Sequence, residues 1–129
     1  MTKEEHIQYW IKSSDQSLET MEYLYKGRKY VDALFFGHLS LEKICKALWI
    51  KNNEDNYPPR THNLVGLSEK SHVSINAEDL EFLDILNRYQ LEGRYPDYLN
   101  LIYKETTADL CEKYINKIKE IDQWLKKML

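Results

Sequence analysis

The chain has 129 residues, of which 43% are apolar and 30% charged, with a formal net charge of -3. That length supports one domain, residues 1–129, able to bury a core without disulfides or metal, and the acidic balance argues against a duplex-DNA binder, which is usually basic. No uncharged run approaches the ~20 residues a membrane helix needs, and the opening MTKEEHIQYW lacks the apolar segment of a signal peptide, so a cytoplasmic protein is expected.

Thr2-Lys3-Glu4-Glu5 has the pattern of a capping box. Ile7, Ile11, Ser14, Leu18, Met21 and Tyr25 follow at steps of three and four, which predicts a first helix ending near Gly27. The turn at Gly27-Arg28 is short enough to force an antiparallel hairpin. The next stretch, Tyr30 to Ile50, is the most apolar of the chain. Its seam of Val31, Leu34, His38, Leu41, Cys45 and Leu48, widened by Phe35, Leu39, Ile44 and Trp49, predicts a central helix covered by several neighbours. Glu42 and Lys46 sit at i,i+4 and read as a surface ion pair. Ser14 and His38 interrupt their two seams, and spacing leaves open whether they face each other.

Tyr57-Pro58-Pro59 predicts extended backbone. A short third helix follows, with Thr61 as its expected cap, and Asn76 opens a fourth that carries Leu80, Leu83, Leu86 and Tyr89 inward until Gly93 and Pro96. The last helix is expected from Thr106 or Thr107, with a seam of Cys111, Tyr114, Ile118, Ile121, Leu125 and Met128. Cys45 and Cys111 fall on apolar faces, as small core residues of a reducing compartment do. With no sustained two-residue alternation, the fold class is all-α: an antiparallel, up-and-down bundle of four main helices plus one short one.

The histidines and cysteines form no CxxC, HxxxH or HExxH spacing, and the chain has no glycine-rich phosphate loop and no GxSxG, so neither a metal nor a cofactor is expected. Chemistry concentrates in Asn87-Arg88-Tyr89-Gln90-Leu91-Glu92-Gly93-Arg94-Tyr95-Pro96-Asp97-Tyr98. Arginine offers phosphate a planar fork of donors, and tyrosine can stack on a base or donate its hydroxyl. Arginines at a helix end can equally satisfy free carbonyls, and Tyr95-Pro96 can simply wedge a loop.

These pieces, in order, resemble the HEPN domain family, named for a nucleotide-binding domain of higher eukaryotes and prokaryotes. The resemblance rests on the first helix with Trp10, on Lys29 to Phe36 leading to Leu41-Glu42-Lys43 and Lys46-Ala47-Leu48, on Pro59-Arg60-Thr61-His62-Asn63-Leu64, and on Leu86-Asn87 to Tyr89 with Arg94-Tyr95-Pro96-Asp97. It implies a helical bundle, commonly a homodimer, often encoded beside a small nucleotidyltransferase as a toxin–antitoxin pair. Ribonuclease members of the family carry an arginine followed after four to six residues by histidine. No arginine of this chain has a histidine at that spacing, and a phenol titrating near ~10 is a poor substitute base.

The resemblance therefore implies a homodimer binding a nucleotide or RNA phosphate through Arg88 and Arg94, with Asn87 in the same segment. Tyr89 and Tyr95 would stack or orient, and Asp97 would orient an arginine or receive a proton. The alternatives are an RNA-cleaving toxin with a non-standard site, for which His62 and Asp97 are the catalytic candidates, and a purely structural partner subunit.

Overall fold

The computed structural model describes residues 1–95 and 100–129, without the side chain of Arg94. The expected roles of Pro96, Asp97 and Tyr98 lie outside the described residues. Among the described residues the chain is entirely helical: α1 Lys3–Lys26, α2 Tyr30–Asn52, α3 Leu64–Lys70, α4 Ala77–Arg94, α5 Leu101–Glu105 and α6 Ala108–Lys126. The bundle of four long helices is as expected, with two short helices rather than one. The five residues of α5 are too few to display a periodic seam, yet they deliver the fully buried Ile102 to the core.

The ends are set by local chemistry. Thr2 Oγ1 accepts from the Glu5 N–H while Glu5 Oε2 accepts from the Thr2 N–H, a reciprocal capping box. Asn76 Oδ1 accepts from the Asp79 N–H at the start of α4, and Thr107 Oγ1 from the Leu110 N–H at the start of α6. The cap of α3 is corrected from Thr61 to Asn63: Asn63 Oδ1 accepts from the N–H groups of Val65 and Gly66. Thr61 stands two residues earlier, with its hydroxyl accepting from the Asn63 N–H.

Helix α2 is the hub, packed against α1, α3, α4, α5 and α6. Leu34, Leu41, Ile44, Leu48 and Ile50 are fully buried there, and Cys45 and Cys111 are buried free thiols. Burial pushes both thiols up to about 12, which leaves them inert core residues. Gly37 lets α2 pack tightly against α6 and α1: a Cβ at that position would stand 2.5 Å from Ile118 Cδ1 and 2.9 Å from Met21 Sδ. Ser14 and His38 do not pair. Ser14 Oγ donates to the Ser40 carbonyl at 2.8 Å, while His38 turns toward α4.

Candidate nucleotide site

One line of polar side chains runs along α2 within its apolar surface. His38, Glu42 and Lys46 recur every four residues, so they share a face, and all three are buried. The expectation of a surface pair at Glu42 and Lys46 is therefore corrected. The segment ahead of α3 and the side of Trp10 cover that flank, which a helical period cannot reveal.

Glu42 is held from two sides. Its Oε1 lies 2.8 Å from His62 Nδ1, and its Oε2 accepts from Lys46 Nζ at 3.2 Å. Lys46 in turn sits 5.1 Å over the Trp10 ring. A carboxylate is an acceptor only, so His62 donates from Nδ1 and its Nε2 is left outward. That side chain is half exposed, and Nε2 has no protein partner among the described residues.

One turn earlier, His38 Nε2 lies 3.0 Å from Asn87 Oδ1. The same oxygen accepts the Leu64 N–H at 3.1 Å. Since a carboxamide oxygen only accepts, His38 carries its proton on Nε2. Its Nδ1 is a buried acceptor with no partner. Burial holds the imidazole below its ordinary pKa, against the opposing pull of Asn87 and the Glu42 charge. Asn87 completes its bonding through Nδ2, which donates to Asn63 Oδ1 at 3.0 Å. The carboxamide expected to touch a ligand is thus engaged with three protein partners: a ring, an amide N–H and a cap.

The end of α4 also differs from expectation. Arg88 is not a free fork: Nε donates to Glu92 and a terminal nitrogen to Glu105. The hydrogen bond to Glu105, with help from Glu92, raises its pKa further above the ordinary arginine value. Tyr89 is corrected as a stacking group, because its ring is only 3% exposed and packs edge-on to Tyr114. Its hydroxyl meets Thr106 Oγ1 at 2.9 Å, and burial raises its pKa. Tyr95, by contrast, is 69% exposed at the C-cap of α4. The backbone carries position 94 two turns past Asn87, on the same face of the helix. Asp97 lies outside the described residues. Among the described residues no group of acidic, histidine or cysteine side chains is arranged to hold a metal, and no helix is long and apolar enough to cross a membrane.

What sequence reasoning missed is the joining of these parts. The Asn63–Asn87 contact sets the His62 segment against the last turns of α4, so two motifs separated by more than twenty residues meet at one place. The architecture is that of a small helical bundle whose central helix carries a buried polar line beneath a short covering helix. The chain belongs to the HEPN domain family, whose model matches residues 7–128. It is similar over its length to the crystal structure of ST0689, an archaeal HEPN homologue, at 26% identity with a TM-score of 0.75. That match covers 95% of this chain and 96% of the other. No curated protein matches the chain.

Proposed function

We propose that this HEPN domain binds the phosphate of a nucleotide or RNA where the His62 segment meets the end of α4, and that it acts as a homodimer with a small nucleotidyltransferase as partner in a toxin–antitoxin-type pair. The observation that carries the reading is the Asn63–Asn87 contact at 3.0 Å, which joins the two motif-bearing segments. Arg94, two turns beyond Asn87, supplies the phosphate fork. His62 presents Nε2 from a ring fixed by Glu42, and Tyr95 offers an exposed face for a base. In this reading Asp97 would orient an arginine or receive a proton. Arg88 contributes only by exchanging Glu105, the more exposed of its two carboxylates, for phosphate.

The test is a titration of a short single-stranded RNA and of ATP into the full chain across a salt series. Affinity falling with salt supports phosphate recognition, and no binding to either ligand at low salt contradicts it. Sedimentation should show a species of twice the 15.5 kDa chain mass; a lone chain at micromolar concentration contradicts the dimer.

The Glu42–His62 pair favours one second reading, RNA cleavage with an imidazole base in place of the missing motif histidine. A carboxylate that fixes the tautomer and orientation of a histidine is what a general base requires. The wild-type protein should then cleave a short RNA, and His62→Ala and Glu42→Gln should abolish that cleavage. Absence of cleavage by the wild type removes this reading and leaves the binding proposal standing.

A further inference from the structure

The end of the bundle where α1 turns into α2 collects cations. Lys26, Arg28 and Lys29 lie together in the run KGRKY, and α5, packed on α2, brings Tyr103 to the same place with Lys104 beside it. The four cations are exposed, and among the described residues none of them holds a carboxylate. Lys117, Lys119 and Lys126 of α6, by contrast, are paired with Asp79, Glu22 and Asp15.

Between the two segments lies a hollow of ≈ 270 Å³, lined by Arg28, Lys29, Tyr30 and Asp32 on one side and by Tyr103 and Thr106 on the other. The start of α2 adds to its positive charge, because Lys29 caps that helix without a side-chain bond to the first turn. Tyrosines alternate with the cations. Tyr23 is 79% and Tyr103 46% exposed, while Tyr30 packs on Tyr25 at 5.9 Å between ring centroids. Of the carboxylates nearby, Asp32 lines the hollow, and Asp109 and Glu112 act on Tyr25 from α6. Glu105, next to Lys104, is held by Arg88 of α4. One turn of α5 thus links this end of the bundle to the end of α4.

We propose that this basic, tyrosine-bearing end is a second contact for single-stranded RNA, whose backbone runs from the end of α4 over α5 to the hollow at the α1–α2 turn. The inference rests on the phosphate reading above and adds to it the class of ligand, an RNA strand rather than a mononucleotide. A chain of net charge -3 that gathers unpaired cations at one end presents a local positive field to a polyanion. A mononucleotide at α4 would leave those cations facing water, whereas a strand carries a phosphate at every residue and can meet both places. The open tyrosine faces favour bases over an acidic peptide, since every base can stack on them.

The experiment titrates ATP and a single-stranded RNA of about twelve nucleotides, a length within the span of single-strand grooves, into the full chain across a salt series. The double variant Arg28→Gln with Lys29→Gln should bind the RNA about tenfold more weakly and lower its salt slope by about 1.4, the loss of two single-strand phosphate contacts. Its affinity for ATP should match wild type. Exchanging the two cations, Arg28→Lys with Lys29→Arg, keeps the charge and should keep RNA affinity. Asp32→Asn should tighten RNA binding by about two- to threefold, because it removes a charge of the same sign as phosphate. Tyr103→Ala should weaken RNA by about fivefold or more, and Tyr103→Phe should restore it. Melts of the Arg28, Lys29 and Tyr103 variants should coincide with wild type, since these side chains are exposed.

Unchanged RNA affinity and salt slope in the double glutamine variant, with both ligands weakened by Arg94→Ala, overturns the second contact while the phosphate reading survives. RNA affinity lost in the glutamine variant but untouched by Arg94→Ala, with no binding of ATP, supports the basic end as an RNA contact and sinks the reading at α4. Equal affinity for ATP and the RNA overturns the choice of a strand. Polyglutamate or phosphatidylserine vesicles binding through Arg28 and Lys29 in place of RNA overturns the choice of partner.

Discussion

Asn63 Oδ1 accepts a hydrogen bond from Asn87 Nδ2 at 3.0 Å, and each of the two amides has a second duty: Asn63 caps α3, and Asn87 holds the Leu64 N–H and the ring of His38. Removing one side chain should therefore release several polar groups at once. Asn87→Ala should cost about 1–3 kcal/mol, the range for stranding buried donors. Urea unfolding checks this. A cost indistinguishable from that of an exposed asparagine such as Asn116 would mean that water replaces Asn87 without loss.

The hub role of α2 has a similarly direct test. Leu41 is fully buried, so Leu41→Ala should cost about 2–5 kcal/mol. Leu91, 60% exposed on α4, is the control and should change stability by no more than about 0.5 kcal/mol. Equal costs in denaturant titrations would contradict the packing described here.

Periodicity made the bundle legible, and it left the polar contacts hidden. The capping box at Thr2 and Glu5 and the α6 seam of Cys111, Ile118, Ile121 and Leu125 could be read directly, because each depends only on residues three or four apart. Asp122 lies beside that seam and is also buried, where Lys126 reaches it at 2.7 Å, a contact that a pattern of apolar residues does not announce. Glu42 was misjudged for the same reason. Whether a helical flank faces water depends on which distant segment crosses it, and here the crossing segment is the one carrying His62. Tyr89 fitted both an inward seam and a stacking site, and its contact with Thr106 decides for the core.

Acid should weaken the fold through His38. Burial lowers its folded pKa below the ordinary value of about 6.5, so the unfolded chain takes up the proton first. The stabilisation is complete above about pH 6.5 and is lost as pH falls below that value toward the folded pKa. The groups facing the ring are Asn87, Glu42 and His62, and only Glu42 and Asn87 favour its charged form through their own side chains. Melting temperature should thus drop more between about pH 7.5 and 5.5 in wild type than in His38→Gln, whose amide can still donate to Asn87. Parallel pH profiles in the two proteins would contradict the assignment.

The central claim, phosphate recognition at the junction of the His62 segment and α4, is tested most directly at Arg94. Titration of a short single-stranded RNA into wild type, Arg94→Lys and Arg94→Ala should be run beside a thermal melt of each. Lysine keeps the charge and loses the planar fork, so affinity should fall in Arg94→Lys and fall further in Arg94→Ala, while the melts stay together. Unchanged affinity in Arg94→Ala would contradict the claim, whatever the melts showed.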